Sequence, residues 1–160
     1  MWKKILVIVL CLIVGGAIGT IATMAYFGHG VAQMMLMLQE KEIFRIGEAA
    51  DNAYYEQAGE TAIWALTFYI ETLNELKVER SCADVENPYL FVRPEDDLTL
   101  SHIKLIKLYK QAGNEEKVKY HFTEAKKHGE LSLFKYKKFD SIDDCLAFLE
   151  KLDGLRKKSL

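Results

Sequence analysis

The sequence predicts an all-α protein in which an N-terminal transmembrane helix, within residues 1–30, precedes a compact helical domain of residues 31–160. Only two of the 160 residues are proline, and the helix-favouring Leu, Ala, Glu and Lys are frequent. No run of alternating apolar and polar residues is bounded by turn signals, as a strand would be. Finally, residues 5–39 contain no Asp, Glu, Lys or Arg, whereas almost all charged residues follow.

The N-terminal segment is apolar over residues 5–27. As a helix this run is roughly 34 Å long, enough to cross a hydrocarbon core of about 30 Å. Lys3 and Lys4 precede the run, and the next basic residue is Lys41. The positive-inside rule then places the N-terminus in the cytoplasm. We therefore expect a single-pass protein of a bacterial inner membrane with a periplasmic or otherwise extracytoplasmic C-terminal domain.

A cleaved signal peptide is the alternative interpretation of the same segment. Small residues near Ala25 offer a cleavage site, and the mature chain would then begin near Tyr26. The apolar run is longer than the apolar region of a usual signal peptide, which favours the uncleaved anchor.

Two features near the membrane are candidate contacts for other proteins. Gly15, Gly19 and Thr23 recur at four-residue spacing, and such a groove of small residues lets a second transmembrane helix approach closely. A homo- or hetero-oligomer through this helix is therefore possible. After the run come three methionines, whose adaptable side chains suit a partner-binding surface; they are Met34, Met35 and Met37.

The first half of the domain reads as one helical hairpin. Apolar residues recur at helical spacing over 43–54, a stop follows at Ala58-Gly59, and a second helix runs from 60 to about 80. The second helix is apolar on several faces, with Trp64 and Phe68 widening its stripe, and is expected at the centre of the core. Residues 81–97 carry both prolines and form a connector.

The second half reads as another hairpin and a last helix. A helix over 98–112, the turn Gly113-Asn114 and a return helix over 115–128 form an αα-hairpin. Gly129 is expected to end the return helix. A final amphipathic helix starts at the N-cap Ser141 and is expected to close at Gly154.

The second hairpin resembles a tetratricopeptide repeat (TPR). Large, aromatic and small residues stand at that repeat's spacing over about 33 residues; they are Leu105, Tyr109, Gly113, Phe122 and Ala125. The chain departs from the repeat at His102, Ile106 and Val118, where the repeat prefers Trp, Gly and Ala respectively. Because the connector breaks the period, the resemblance implies a compact TPR-like bundle of two hairpins plus a C-terminal helix. It also implies protein binding on a helix-lined surface, with exposed aromatics such as Tyr55, Tyr109 and Tyr120 as partner-binding candidates.

Cys82 and Cys145 are the two cysteines outside the apolar run. In an oxidising compartment they would form a disulfide that closes a loop of about 60 residues and contributes roughly 4 kcal/mol in the chain-entropy model. The alternative is that each is a small buried apolar side chain.

No catalytic or cofactor-binding motif occurs in the chain, so neither an enzyme nor a cofactor is expected. His121 and His128 are seven residues apart, too far for a chelating pair on one helix, and no metal site is expected. The chain after Lys4 has 19 of the 21 basic residues and all 23 acidic ones, so its formal charge is −4. This balance excludes a nucleic-acid-binding surface.

The function that these observations favour is a membrane-tethered protein–protein interaction module, acting as an adaptor or an accessory subunit of a membrane-associated complex. One alternative is an immunity-type inhibitor that neutralises a toxin in the same compartment. Another is a soluble exported helical protein, released after signal cleavage. The identity of the protein partner does not follow from the sequence.

The anchor makes a direct prediction about the mass of the mature chain. Protein isolated from the membrane fraction should have the intact mass of 18.3 kDa, because an anchor is retained whereas a signal peptide is removed. Mass spectrometry of the denatured chain measures this. A chain shorter by about 25 residues, recovered without lipid, would contradict the anchor.

Overall fold

The computed structural model of the chain describes residues 34–35, 37–56, 59–83, 93–133 and 139–159, with the backbone alone for 79–83 and 157–159. Within these ranges there are five α-helices and no strand, which confirms the all-α prediction there. The helices are α1 (37–55), α2 (Gly59–Ala83), α3 (Pro94–Gln111), α4 (Glu115–Leu131) and α5 (Ile142–Ser159).

The chain divides into two compact units, Met1–Gln39 and Glu40–Leu160. None of the described helices is both long and apolar enough to cross a bilayer. Residues 5–27 lie outside the described ranges, so the anchor stays a prediction. The helices of the second unit form a bundle.

The centre of the bundle is α3, against which α2, α4 and α5 all pack. Eight residues of α3 are buried, and half of these are polar. The eight are Leu98, Thr99, Ser101, His102, Ile103, Lys104, Leu105 and Ile106. The expectation that α2 is the central helix is wrong, since its Trp64 and Phe68 are exposed. Hydrophobic periodicity favoured α2 because it measures the average polarity of a helix face, and the polar residues of α3 lower the apolar character of its buried faces.

The α3–α4 hairpin forms as predicted from its turn residues. Gly113 has φ +72°, a left-handed conformation that glycine adopts without steric cost. Asn114 is the N-cap of α4, where its side-chain oxygen accepts the backbone N–H of Lys117 at 3.1 Å. The two helices therefore return antiparallel on each other. α5 is likewise capped as predicted, because the Ser141 hydroxyl accepts the backbone N–H of Asp144 at 3.1 Å.

The predicted connector is shorter at both ends than the proline positions indicated. The helix α2 continues to Ala83, and α3 begins at Pro94 rather than at Leu98. Proline is tolerated at the first helical position because its missing N–H has no intrahelical partner there. The acids that follow, at 95–97, lie in the first turn of α3, where the helix dipole favours negative charge.

Two glycines predicted to end helices lie inside them instead. α4 runs through Gly129 to Leu131, and α5 runs through Gly154 to Ser159. A Cβ on Gly129 would lie 3.4 Å from the ring of Phe139, which is an ordinary van der Waals contact. Around Gly154 nothing lies within 4 Å of such a Cβ.

Gly47 lies at a close contact between α1 and α2. A Cβ at this position of α1 would lie 2.8 Å from the Cζ and hydroxyl oxygen of the buried Tyr69 on α2. The two helices therefore approach closely at this point because α1 has no side chain there.

We expect Gly47→Ala and Gly154→Ala to change stability differently. Alanine in a helix gains roughly 0.5–1 kcal/mol over glycine, and at Gly154 nothing opposes this gain. At Gly47 the new methyl overlaps Tyr69, and such overpacking costs about 1–3 kcal/mol, so the variant should be no more stable than the parent. Thermal unfolding of the full-length protein in mild detergent, followed by circular dichroism, measures both. An equal gain for the two variants would contradict the α1–α2 packing.

Candidate functional site

The predicted partner-binding residues differ in their accessibility. Met34, Met35 and Met37 are all exposed in the first unit, as a docking surface requires. Tyr120 on α4 is also exposed. These four positions remain candidates.

The other two predicted tyrosines are engaged within the bundle. Tyr55 is 37% exposed, and its hydroxyl donates to the Asp153 carboxylate of α5 at 3.0 Å. The prediction that Tyr109 is exposed is wrong. Its side chain packs against the core, with its ring stacked on His121 at a centroid distance of 5.3 Å. Both tyrosines therefore contribute to helix packing.

Several predicted positions lie outside the described residues. Gly15, Gly19 and Thr23 are among them, as is the side chain of Cys82. Cys145 is fully buried with a free thiol, and burial raises the pKa of this thiol to about 12. The thiol is therefore unreactive at neutral pH. The predicted disulfide between Cys82 and Cys145 is therefore not formed in this structure, where Cys145 is a small buried apolar side chain.

An exposed aromatic face on α2 was not predicted from the sequence. The rings of Trp64 and Phe68 stack with centroids 5.7 Å apart and planes within 4° of parallel. Trp64 is 67% exposed and Phe68 44%. The exposed Glu71 and Glu75 continue the same helical stripe, at steps of three and four residues. These charges were the signal that the stripe faces solvent. We call Trp64 and Phe68 the aromatic face.

A polar cavity of about 430 Å³ lies where α1, α2 and α3 meet. Lys104 of α3 forms an ion pair there with Asp51 of α1, and the Lys104 side chain is only 8% exposed. Tyr69 of α2 hydrogen-bonds to Asp97 of α3. Each pair joins two helices, so these polar groups stabilise the seam between the helices.

Burial changes the ionisation of the Tyr69–Asp97 pair. Desolvation raises the pKa of Asp97, although the hydrogen bond from Tyr69 and the charge of Lys104 oppose the rise. The pKa of Tyr69 is raised by burial first and by the neighbouring Asp97 second. A polar cavity with perturbed groups is what an enzyme hypothesis predicts. Here the perturbed groups are bonded to each other across the seam, which gives them a packing role.

A cluster of three buried histidines lies between α3 and α4. The Nδ1 atoms of His102 and His121 are 2.9 Å apart, so one donates and the other accepts. Burial, followed by the neighbouring histidines, lowers the pKa of His102 to about 3. Burial and the charge of Lys117 lower the pKa of His121 to about 4. Both rings are therefore neutral at pH 7.

His128 is held between two carboxylates. Its Nδ1 donates to Glu95 Oε2 at 2.6 Å, and Lys77 forms an ion pair with the other Glu95 oxygen at 2.5 Å. Partial burial alone would raise the pKa of Glu95, but hydrogen bonds from Lys77 and His128 outweigh it and lower this pKa. The second carboxylate is Glu124, whose Oε2 lies 3.6 Å from Nε2 of His128.

The histidine cluster also brings together three groups of metal-ligand type. One ligand atom from each of His102, Glu124 and His128 lies within 4.8 Å of the other two. The seven-residue spacing of His121 and His128 predicted no chelating pair, and His121 faces His102 instead. The available signal was the i, i+4 spacing of Glu124 and His128, which places both on one helix face.

The comparisons with known proteins identify no relative. No protein-family model, no curated protein and no solved structure matches the chain.

The half-buried Asp97 predicts an unusual response to neutralisation. Because its folded pKa is raised, its stabilising contribution is complete below the ordinary pKa of 3.8 and is lost as pH rises through the folded pKa. Asp97→Asn should therefore raise the free energy of unfolding at pH 7, by up to about 1 kcal/mol, and should change it little at pH 3.5.

Asp143→Asn is the matched control, since Asp143 lies in the first turn of α5 but its side chain is 88% exposed. This change should lower stability by about 0.3–1 kcal/mol at pH 7 through the helix dipole. Urea unfolding of the full-length protein at both pH values measures the two variants. If Asp97→Asn loses as much stability as the control at pH 7, burial does not dominate at Asp97.

Proposed function

We propose that the protein is a membrane-tethered protein–protein interaction module, an adaptor or accessory subunit of a membrane-associated complex, and that it binds its partner through the aromatic face of α2. The observation that carries this proposal is the 67% exposure of Trp64 in a ring stacked on Phe68. Large exposed aromatic surface is costly in water and is concentrated at docking sites.

The aromatic face suits binding because it is pre-organised. The two rings stack on each other and stand on adjacent turns of one helix, so little conformational freedom remains to be lost on association. Tryptophan is also among the residues that most often dominate the binding free energy of an interface. A partner that covers both rings would bury them in an apolar contact.

The charge beside the aromatic face indicates the chemistry of the partner. Glu71 and Glu75 are exposed on the same stripe of α2, within two turns of Phe68. Complementary charge steers association and suppresses wrong partners. The proposed partner surface is therefore apolar at its centre and basic along one side.

The membrane tether belongs to the same proposal. A helix over residues 5–27 would confine the bundle to the membrane surface, where its effective concentration toward another membrane protein is high. The exposed Met34, Met35 and Met37 provide adaptable apolar contacts near that helix. The resemblance of α3 and α4 to a TPR hairpin is a further support, since that family binds proteins.

Paired variants of the full-length chain test the aromatic face. The double variant Trp64→Ala/Phe68→Ala is purified from the native membrane in mild detergent beside the parent and Leu131→Ala. Leu131 is the matched control, because it is also 67% exposed and apolar but lies on α4. Native mass spectrometry weighs each assembly, and circular dichroism checks that each variant is folded.

The parent and the control should carry the same partner, and the double variant should lose it. A hot-spot residue contributes at least about 2 kcal/mol, so the loss of even one of the two should lower the affinity by about 30-fold or more. If the double variant keeps the partner, the aromatic face is not the docking site. A parent chain of intact mass without any partner would favour the conditional immunity role, and a shortened chain would favour the exported protein.

A further inference from the structure

Between α3 and α4, three side chains of metal-ligand type converge on one point. His102 extends from α3, whereas Glu124 and His128 extend from successive turns of α4. Both histidines are buried, and their rings stack with planes within 6° of parallel. We propose that His102, Glu124 and His128 bind a divalent transition-metal ion, with Zn²⁺ as the ion that fits best.

The spacing of the three groups matches such a coordination site. Zinc ligands lie about 2.0–2.2 Å from the ion, so two ligand atoms at a tetrahedral angle are roughly 3.3–3.6 Å apart. Nε2 of His128 and Oε2 of Glu124 are 3.6 Å apart. One nitrogen of His102 lies within 4.8 Å of a ligand atom of each of the other two residues. Because an imidazole binds a metal in the plane of its ring, the His102 ring would rotate out of its stack on His128 to complete the set.

Each histidine is held by a partner at its other nitrogen, as ligating histidines usually are. Nδ1 of His128 donates to Glu95, which leaves the lone pair of Nε2 facing Glu124. Nδ1 of His102 lies 2.9 Å from His121, and in the tautomer where His102 donates, its Nε2 also carries a lone pair. Such outer partners fix the ring orientation and increase the basicity of the ligand nitrogen.

In the neutral form of His128, the same arrangement is unfavourable without a cation. A lone pair on Nε2 of His128 and the carboxylate of Glu124 would repel each other, and at 3.6 Å they are beyond normal hydrogen-bond length. An ion between them replaces this repulsion with two coordinate bonds. With His128 neutral, a bound cation therefore relieves a repulsion that packing of the two helices leaves in place.

The ligand types select the class of ion. Two imidazoles and one carboxylate suit Zn²⁺ and its first-row neighbours, whereas Ca²⁺ and Mg²⁺ prefer oxygen ligands alone. The side chain of Glu124 is 23% exposed, so solvent reaches this group and a water molecule would be available as a fourth ligand. Because its ligands come from both α3 and α4, the bound ion would cross-link the hairpin.

Lys127 is a built-in competitor for the carboxylate. Its Nζ lies 3.1 Å from the same Glu124 oxygen, and its side chain is 63% exposed. Exposed pairs of this kind are weak, so a divalent ion should displace the ammonium group into solvent. Removing the lysine should therefore strengthen metal binding.

Zinc titration of the full-length protein in mild detergent tests the site, after the protein has been stripped with a chelator. A chromophoric zinc chelator reports the free ion, and we expect one equivalent to bind and the melting temperature to rise with zinc concentration. Glu124→Gln should weaken binding by at least about 10-fold. Glu116→Gln, the same change on the exposed first turn of α4, should not weaken it. Lys127→Gln should bind about 2- to 5-fold more tightly.

Controls keep the proposal falsifiable where a histidine variant fails to fold. Glu124→Gln preserves size and helical structure, and circular dichroism verifies its fold. Absorption of the Co²⁺-substituted protein, compared between the parent and Glu124→Gln, reports whether the carboxylate is a ligand. No zinc binding, or equal binding by the parent and Glu124→Gln, overturns the proposal. So does binding that is lost instead in His29→Asn or Cys82→Ser.

Discussion

The rest of the bundle depends on the burial of α3, because a helix enclosed by its neighbours must find a partner for every polar side chain it carries. Lys104 meets Asp51 of α1, and His102 meets His121 of α4. The Thr99 hydroxyl turns back onto the carbonyl of Glu95 at 2.7 Å. A buried charge or imidazole without such a partner would cost several kcal/mol, so these contacts restrict where the neighbouring helices can lie.

The polar side chains of α3 contribute to both the cavity between α1, α2 and α3 and the histidine cluster between α3 and α4. The ion pair of Lys104 lies in the cavity shared by α1, α2 and α3, and the ring of His102 contributes to the cluster shared with α4. Glu95, at the start of α3, joins both sides, since it pairs with Lys77 of α2 and with His128 of α4. A metal ion bound at His128 would therefore act on the contact between three helices.

The proposed docking surface consists of apolar side chains that are exposed, in contrast to the polar side chains that α3 buries. α2 directs Leu66, Leu73 and Leu76 into the core, which turns Trp64 and Phe68 outward. The described residues leave Trp64 67% and Phe68 44% exposed. A partner is the simplest way to remove them from water, whereas the histidine cluster is internal and would act on the stability of the hairpin that the partner meets.

Local chemistry in the sequence determined the helices and several of their ends. The turn Gly113-Asn114 and the cap Ser141 form as predicted, because glycine and capping side chains act within a few residues of themselves. Only the tertiary structure decided which helix is central, that Trp64 faces solvent, and that His128 meets Glu124 and His102. The physical reason is that periodicity measures the average polarity of a helix face. It does not reveal whether a distant residue supplies the partner that lets a polar side chain be buried.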